Sequence, residues 1–584
     1  MVGCVSLNLL RNSSSESLRL VLPVGIIGIW DITSLKNLQK FDIINCKRLS
    51  YDQMEIELTN NYYQGVLLKK QEQNTSHRRY GGLKNNLEIH NAGETAHFIK
   101  VLTCAYSVPE SRFYKSTKLL ESMEIATQYL LNVQHNDGTI DLYSTNFHSP
   151  PDTAFVLEPL CAALSVLNQY DSPSLSKLKT DLKTFILKAA DALTVGGIHT
   201  PNHRWVVCMA LARVHSLFPN SKHIARIDDW LGEKIDIDPD GQFTEKSTAI
   251  YSPLTDRCLI TIARLLNRPE LLDPVRRNLE MTIYYIHPDG EVVTTASTRQ
   301  DRYRRGSMAP YYYPYRYMAL NDNNKKFAAM AKLIQQTAQH KLSNNLIYFL
   351  EDPSLKNRLP ESEPLPVKYT KIFHHSKLAR IRRNEISATI IAENPKFFSF
   401  HKGTAALEAI RFASAFFGKG QFQAEALLID GDRFVLRQKL TGPYYQPLPI
   451  DARRPDGNWN KMDKYLRRQS EVQHLESIAI ISESNGKFEI SLDIHGTDNV
   501  PVSIEFCFRH GGRLKGVRKI SDVKDAYILE EGYGGYQYGK NIIEFGPGHA
   551  EHRWTQLRGA LPKLDAISVY ITGFTPFNIT LQIS

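Results

Sequence analysis

Apolar residues recur at three- and four-residue spacing through the first part of the chain. The pattern is clearest over 118–133, 159–168, 178–193 and 259–266, and Gly, Pro and Asp interrupt it between these stretches. Such spacing places apolar side chains on one face of a helix, while the interruptions are typical of turns. The sequence therefore predicts a helical region over 51–350.

A short glycine-containing turn follows several of the helical stretches. Asp-Gly occurs three times and Gly-Gly once, and Gly138, Gly197, Gly241 and Gly290 are spaced by 59, 44 and 49 residues. A repeat of this length corresponds to two helices and their connections, which predicts a helical hairpin as the unit. Such hairpins form an open solenoid or close into an (α/α) toroid. A toroid would gather the equivalent turns around one cleft.

The hydrophobic period changes after 351–368, a stretch with four prolines and many charges that we interpret as a linker. Beyond it, runs rich in Val, Ile, Phe and Thr predict strands, at 370–383, 387–392, 397–401, 488–494, 502–508 and 567–583. The predicted fold class is therefore α+β multidomain. An N-terminal (α/α) toroid at 51–350 is followed by a C-terminal antiparallel β-sandwich or sheet domain at 369–584. Residues 1–50 fit neither pattern and form a separate N-terminal segment.

Composition narrows the class of protein. A chain of 584 residues exceeds the roughly 250–300 residues of a single core, and 42% hydrophobic with 23% charged residues excludes a mostly disordered, collagen-like or multi-pass membrane protein. No apolar run reaches the roughly 18–20 residues of a membrane helix. The seven cysteines form no C-x-x-C pair. We expect buried thiols rather than a zinc ribbon or a disulfide framework.

The net charge points to an anionic partner. Lys and Arg number 71 against 61 Asp and Glu, which gives a formal charge of +10. Such an excess suits nucleic acid or an acidic polysaccharide. Because the basic residues are local and no nucleic-acid motif is present, we expect an acidic polysaccharide or oligosaccharide and no nucleic acid.

The densest polar cluster is GGIHTPNHRW at 196–205, just before an apolar helix. Pro201 suits a first helical position, and Thr200 or Asn202 could cap the helix. One interpretation is a capping turn with a surface histidine. The other is a functional site, because a neutral donor (Asn202), a base (His203) and a cation (Arg204) lie side by side next to Trp205.

Two further segments carry chemistry. The first, 240–253, contains Tyr251, which is either a functional hydroxyl or an amphipathic wall residue. The second runs from TRQDRYRR at 298–305 to PYYYPYRY at 310–317. Aromatic faces stack on sugar rings and arginines bind carboxylates, although a structural aromatic cluster is the alternative. The predicted substrate-binding residues are Arg204, Trp205, His148, Arg302, Arg304, Tyr311, Tyr313, Tyr315 and His401.

These residue types suit β-elimination from a uronic acid. The C5 proton is only weakly acidic, so Asn202 and an arginine would neutralise the carboxylate and stabilise the developing enediolate. His203 would abstract the proton, and Tyr251 would protonate the leaving glycosidic oxygen. The predicted product is a 4,5-unsaturated uronide, and the mechanism requires no cofactor.

The chain resembles the (α/α)-toroid polysaccharide lyases of the heparinase II/III and alginate lyase type. Two features carry this resemblance: the Asn-His pair at 202–203 and the later acidic segment that ends at Tyr251. More narrowly, GGIHTPNHRWV and HHSKLARIRRNEISATIIAENPKFFSF resemble bacterial L-rhamnose-α-1,4-D-glucuronate lyases, which remove rhamnose caps from arabinogalactans. The resemblance implies that Asn202, His203 and Tyr251 are the neutraliser, base and acid. It implies a periplasmic or secreted bacterial protein, although no signal is clearly present. A divalent metal, Ca or Zn, occurs in several relatives and has no assigned ligands here.

Two other functions stay open at this point. A glycoside hydrolase on the same toroid would use carboxylic acids, and Asp137, Asp141, Asp152, Asp240 and Glu245 all lie in the predicted loops. A non-catalytic carbohydrate-binding protein would use the tyrosine- and arginine-rich segment alone.

Overall fold

Eleven helices form the first part of the computed structural model, which describes residues 68–584 apart from the side chains of Tyr303, Gln339 and His340. The predicted N-terminal segment, the predicted toroid residues 51–67, Cys4 and Cys46 lie outside the described residues. The helices are α1 (Ala92–Ser107), α2 (Thr117–Val133), α3 (Pro150–Leu167), α4 (Ser176–Val195), α5 (Pro201–Leu217), α6 (Ser221–Gly232), α7 (Tyr251–Leu266), α8 (Leu272–Thr282), α9 (Tyr312–Asn321), α10 (Lys325–Ala338) and α11 (Leu346–Glu351).

Alternate helices differ in how their apolar residues are arranged. Helices α3 and α5 are apolar on nearly every face and almost fully buried. In α4 the buried residues Leu178, Leu182 and Phe185 follow helical spacing, and the other face is polar. A helix that is apolar all round belongs inside, and an amphipathic helix covers it. The odd-numbered helices α1 to α9 therefore form an inner layer and the even-numbered helices α2 to α10 an outer layer.

Neighbouring helices in the inner layer contact one another in chain order, from α1 through α3, α5 and α7 to α9. The short helix α11 lies against α1 and α3. The result is a curved double layer of helical hairpins, which confirms the predicted (α/α) toroid.

The connections that precede the inner helices gather at one end of the array. Two of them are short hairpins, β1 (Leu83–Lys84) with β2 (His90–Asn91) before α1, and β3 (Ile140–Leu142) with β4 (Asn146–Ser149) before α3.

Asp-Gly turns contribute to three of these connections. Gly138 has φ +89°, and a Cβ there would lie 2.1 Å from the carbonyl oxygen of Lys188. Gly241 and Gly290 also have positive φ, whereas Gly197 faces open space. At three of the four repeat positions the turn therefore requires a glycine, because the backbone has a positive φ there.

The second part of the chain is made of strands in two largely antiparallel sheets. The first sheet comprises β7 (Lys368–Phe373), β8 (Leu378–Arg383), β9 (Ile386–Ile391), β10 (Phe398–Lys402), β11 (Ala405–Ser414), β12 (Gly420–Gln421), β17 (Pro501–Phe508), β19 (Arg518–Lys519), β20 (Ala526–Ile528) and β23 (Ile567–Phe574). The second comprises β13 (Leu427–Asp430), β14 (Arg433–Tyr445), β15 (Gln469–Ser484), β16 (Lys487–Gly496), β18 (Arg513–Lys515), β21 (Gly534–Tyr538), β22 (Asn541–Gly546) and β24 (Phe577–Ile583).

The ten strands of the first sheet have the order β19-β20-β23-β17-β11-β10-β9-β8-β7, with β12 beside β11. The eight strands of the second have the order β13-β14-β15-β16-β24-β22-β21-β18. One pair in the first sheet, β20 with β23, is parallel.

The two sheets share one apolar core. In β16, Phe488 and Ile490 are buried and alternate with more exposed residues, as expected for a strand with one face inward. They join a cluster that includes Phe398 and Phe506 of the other sheet. Two sheets packed face to face are a sandwich, which confirms the predicted second domain.

The sandwich rests on the connection between α8 and α9. This connection includes β5 (Glu291–Val292) and β6 (Gly306–Ser307). The buried Arg380 donates to the carbonyl oxygen of Tyr284 at 3.1 Å, and Arg509 bonds Glu291 at 2.9 Å. Both parts belong to one structural unit. The last helix ends at Glu351 and the first strand of the sandwich begins at Lys368.

Five cysteines lie in the described part of the chain, and all are free and buried, as predicted: Cys104, Cys161, Cys208, Cys258 and Cys507. No helix in residues 68–584 is long and apolar enough to cross a membrane.

Candidate active site

The first turn of α5 holds a polar side chain that capping does not explain. Thr200 occupies the N-cap position but makes no side-chain hydrogen bond to the helix. Asn202 is only 2% exposed, and its Nδ2 donates to Oε1 of Glu245 at 2.9 Å. Its Oδ1 is buried and has no partner within the described residues. Asn202 is therefore held by a different connection, the one before α7.

His203 follows Asn202, and one nitrogen of its ring, Nδ1, makes no hydrogen bond to a described residue. Its ring lies edge-on to Phe155 of α3, with 6.1 Å between centroids, and 4.7 Å from the ring of His199. Nδ1 is buried and finds no hydrogen-bond partner in the described part of the chain. Burial lowers the pKa of His203 to about 4; the neighbouring His199 and Arg299 act in the same direction, and Asp152 opposes them. The imidazole is thus neutral near pH 7, as a general base must be.

Glu245 joins the connection before α7 to the one before α9. Its Oε2 lies 3.2 Å from Nε of Arg299, while its Oε1 accepts from Asn202. Glu245 is buried, and Thr298 also donates to its backbone carbonyl. A buried carboxylate with two such partners fixes both of them in position. The amide of Asn202 and the guanidinium of Arg299 therefore belong to one cluster.

Tyr251 is the first residue of α7 and lies against the same arginine. The Cζ atom of Arg299 is 5.3 Å from the centre of the Tyr251 ring, and Gln300 Nε2 donates to the tyrosine hydroxyl at 2.9 Å. Since the hydroxyl accepts this bond, its own proton is free to be donated. Tyr251 can therefore act as an acid at the edge of the cluster.

A cationic cavity lies between the helical array and the sandwich, with a volume of about 390 Å³. The segment 299–305 serves both regions, because Arg299 and Gln300 contact Tyr251 while Arg302, Arg304 and Arg305 line the cavity. Lys396 and Arg509 also line it, so five Lys and Arg side chains face three carboxylates, Glu291, Glu408 and Asp565. The imidazoles of His287, His401 and His510 belong to the same lining. The excess of positive charge suits an anionic ligand.

Two stacked histidines lie at the wall of this cavity. The rings of His287 and His401 are 3.6 Å apart and inclined by 4°. Burial lowers the pKa of both histidines, and the nearby Arg509 acts in the same direction. Within residues 68–584, no group of three His, Cys, Asp or Glu side chains close enough to hold a metal ion includes His401. The structure therefore offers no three-ligand set at His401 for the divalent metal that the resemblance raises.

The structure turns Arg204 and Trp205 away from the cluster. Arg204 bonds Asp236 at 2.8 Å and Glu233 at 3.2 Å, and the buried Trp205 donates to Asp236 at 3.1 Å. Consecutive residues of a helix point about 100° apart, so the whole run 202–205 cannot face one cleft. The prediction that these two residues bind substrate is wrong; they fix α5 to the connection after α6.

The prediction for the tyrosine-rich segment is also wrong. Tyr311, Tyr313 and Tyr315 are 0%, 2% and 0% exposed, because they lie at the start of the inner helix α9 rather than in a loop. The hydroxyls of Tyr311 and Tyr315 donate to the carbonyl oxygens of Thr248 and Leu279. Pro310 lies in the 3-10 turn Ala309–Tyr311 that precedes α9, and Pro314 lies in the first turn of the helix, so neither proline breaks it. These tyrosines form part of the core.

His148 lies in β4, the second strand of the hairpin before α3, and outside the cluster. Its Nδ1 pairs with Asp137 at 2.7 Å, and its ring stacks on His135 with 3.8 Å between centroids. Of the predicted binding residues, Arg302, Arg304 and His401 line the interdomain cavity.

Several residues of the site were missed or misread in the sequence. Arg299 and Gln300 stand in the arginine-rich segment that the sequence singled out, but nothing marked them above their neighbours. Glu245 drew notice as a candidate acid, whereas the structure makes it a partner of Asn202 and Arg299. His287 and Arg509 have no local signal, because only the packing of the sandwich on the array brings them together.

We expect Glu245→Ala to lower the free energy of unfolding by about 1–3 kcal/mol, since it leaves the buried Asn202 amide without its acceptor. Chemical denaturation measures this. Glu233→Ala is the matched control: Glu233 pairs with Arg204 at a half-exposed position, so we expect less than about 1 kcal/mol. Equal losses in the two variants would contradict the proposed bridging role of Glu245.

The fold, a helical toroid followed by an antiparallel sandwich, is that of the (α/α)-toroid polysaccharide lyases. Heparinase III matches with a TM-score of 0.51 and 12% identity, over 93% of this chain and 84% of its own. Streptomyces coelicolor A3 chondroitin AC lyase in complex with chondroitin sulphate gives 0.52 and 13%, over 93% and 80%. Paenibacillus xanthan lyase gives 0.57 and 10%, over 91% of this chain and 57% of that longer protein. No family model and no curated protein matches the sequence.

Proposed function

We propose that the protein is a polysaccharide lyase that cleaves the glycosidic bond to O4 of a uronic acid by β-elimination. One observation carries the proposal. A neutral histidine with an unoccupied nitrogen, His203, adjoins a buried amide, Asn202, which Glu245 links to Arg299 and through it to Tyr251. These are a base, a carboxylate-neutralising pair and an acid.

The groups have complementary tasks in the elimination. Asn202, through the second hydrogen of its Nδ2, and Arg299 hydrogen-bond the uronate carboxylate and stabilise the negative charge that develops on it. His203 takes the proton from C5, and the electron pair of that C–H bond forms the C4=C5 double bond. The C4–O bond breaks, and Tyr251 protonates the departing oxygen. No water is consumed and no redox partner is required.

The hydrolase alternative is less well supported. A glycosidase needs a carboxylic acid whose pKa is raised, so that it can protonate the leaving group. Hydrogen bonds from Thr139 and then from His148 instead lower the pKa of Asp137. Glu245 is already paired with Arg299. A purely carbohydrate-binding protein would have no use for a buried neutral base beside a phenol.

Glucuronate is the uronic acid we favour, and a rhamnose-glucuronate cap of arabinogalactan is the narrowest form of the proposal. This narrow form is supported by the resemblance of two segments, GGIHTPNHRWV and residues 374–400, to bacterial L-rhamnose-α-1,4-D-glucuronate lyases. The chondroitin sulphate complex of a structural neighbour supports an acidic polysaccharide in general. Since such polymers lie outside the cell, we propose a periplasmic or secreted bacterial enzyme.

Ultraviolet absorbance tests the proposal, because only β-elimination creates a double bond conjugated with the carboxylate. The protein is incubated with a panel of glucuronate-containing polysaccharides, including rhamnose-capped arabinogalactan. Rising absorbance together with new reducing ends is the expected result. New reducing ends without absorbance would indicate the hydrolase, and neither signal across the panel would contradict catalysis on these polymers.

The pH dependence of kcat/KM should show an acid limb near pH 4 instead of near 6.5, because His203 must be neutral to accept the C5 proton and its pKa lies at about 4. His199→Ala removes a neighbour that lowers this pKa, so the limb should move to higher pH. An acid limb near 6.5 in the unmodified protein would contradict the assignment of the base.

Stability must be followed over the same pH range. The unfolded chain, with an ordinary histidine pKa, binds more protons than the folded one between about pH 4 and 6.5. The contribution of His203 to stability is therefore present above this range and is lost as the pH falls through it. Circular dichroism at each pH separates unfolding from protonation of the base.

A further inference from the structure

A second cationic cavity lies beside the start of α1, at the same end of the array as the cluster around His203. It has a volume of about 390 Å³ and is lined by His77, Arg78, Arg79, Lys84, Glu88, Ile89, His90 and Tyr143. We propose that this cavity binds the carboxylate or sulfate of a sugar several units away from the bond that is cleaved. The proposal rests on the proposed function and extends it to the length and charge of the substrate.

The charges in the cavity favour an anion. Arg78, Arg79 and Lys84 line it with one carboxylate, Glu88, while a second carboxylate, Glu72, lies outside the lining and 3.8 Å from Lys84. Arg78 is exposed and makes no ion pair with any described residue. Arg79 is held by Tyr143, whose hydroxyl lies 2.5 Å from its Nη1. A fixed guanidinium beside a free one suits the planar, two-oxygen edge of a carboxylate or sulfate.

A metal site is the competing interpretation of this region. Potential ligand atoms of Glu72, His77 and His90 lie within 4.8 Å of one another. However, Nδ1 of His77 accepts the backbone N–H of Arg79 at 3.1 Å, so the proton of the neutral ring is on Nε2, which then donates and cannot ligate. Glu72 does not line the cavity, and its carboxylate accepts from the backbone of Asn74 and lies 3.8 Å from Lys84. The polar hydrogens of this cluster therefore favour an anion over a cation.

The position of the cavity connects it to the proposed cleft. Tyr143 belongs to the hairpin before α3, and Phe155 in α3 contacts His203. Counting from α5, the cavity is two inner helices away, at α1. With about 8–10 Å between the axes of packed helices, this is a separation of roughly 20 Å. An anion bound there belongs to a different sugar unit from the uronate beside His203.

Calorimetric titration of the Tyr251→Phe protein, which binds without turnover, tests the cavity. The test variant adds Arg78→Ala and Lys84→Ala. The matched control adds Lys118→Ala and Lys222→Ala, which remove the same charge from exposed first-turn positions of the outer helices α2 and α6. The probes are unsulfated chondroitin and chondroitin sulfate, each as a disaccharide and as the polymer. Circular dichroism verifies that all variants fold.

We expect the test variant to bind the polymer about tenfold more weakly than the control and to bind the disaccharide equally well. At high salt the two variants should bind the polymer with the same affinity, because salt screens the charges. A loss with both polymers identifies a carboxylate, and a loss confined to chondroitin sulfate identifies a sulfate. An equal loss for disaccharide and polymer, no loss, or no polymer binding at all would overturn the proposal. So would zinc binding that Glu72→Gln abolishes.

The two proposals fail in different ways. If no glucuronate polymer yields an absorbing product but polymer binding still depends on Arg78 and Lys84, the lyase activity is refuted and the sugar-anion site stands. If product forms and these two residues have no effect on polymer binding, the lyase stands and the second site is refuted.

Discussion

His203→Ala is expected to lower kcat by about 10²–10⁴-fold on any polysaccharide that the protein cleaves, because the variant loses the group that accepts the C5 proton. KM should change little, since Asn202 and Arg299 still bind the carboxylate. The imidazole makes ring contacts with Phe155 and His199, but no side-chain hydrogen bond of the described chain depends on it. Initial rates of ultraviolet absorbance measure the effect.

His215→Ala is the matched control for this variant. His215 lies in the last turn of the same helix, α5, at the opposite end of the array. The substitution removes the same side chain from the same element, so any general effect on the helix appears in both variants. Comparable activity of the His203 and His215 variants, with unchanged thermal unfolding, would remove His203 from the mechanism.

Tyr251→Phe is expected to lower kcat and kcat/KM together by about 10²–10⁴-fold. The change deletes one oxygen and retains the ring beneath Arg299, so the hydrogen bond from Gln300 is the one interaction lost among those the described residues make with the hydroxyl. An equal decrease in both kinetic constants is the signature of a group that acts in the transition state. Steady-state kinetics on the same polymer provides both constants.

Tyr465→Phe is the corresponding control, since Tyr465 is almost fully exposed in the sandwich domain and should be silent. A Tyr251→Phe protein that keeps its kcat and changes only KM would mean that the hydroxyl binds substrate without donating a proton. In that case another group would have to protonate the leaving oxygen.

The hydrophobic period of the sequence was sufficient to predict both domains. The apolar residues of α3 predict a buried helix, and the alternating apolar and polar residues of β16 predict a strand with one buried face. The structure shows both features. The same local reasoning failed for Tyr311, Tyr313 and Tyr315. Aromatic density in a segment does not reveal whether a helix is surrounded by others, and here the neighbours of α9 bury all three rings.

The candidate site was only partly predictable, for a related reason. Asn202, His203 and Tyr251 each begin or follow a turn, and turns leave a signal in the sequence. The bridge from Asn202 through Glu245 to Arg299 joins three connections separated by more than forty residues each. No spacing within one segment encodes it. Arg204 and Trp205 follow His203 directly in the sequence, but both bond Asp236, so adjacency along a helix does not place them at the site.

The central claim is that the bond is broken by elimination without water. Mass spectrometry of a defined glucuronate oligosaccharide digested in H₂¹⁸O tests it most directly. Elimination predicts product masses that sum to the mass of the substrate, with no ¹⁸O in either fragment and a double bond in the uronide. Fragments that together gain one water and carry ¹⁸O at the new reducing end would show hydrolysis, and would contradict the roles given to His203 and Tyr251.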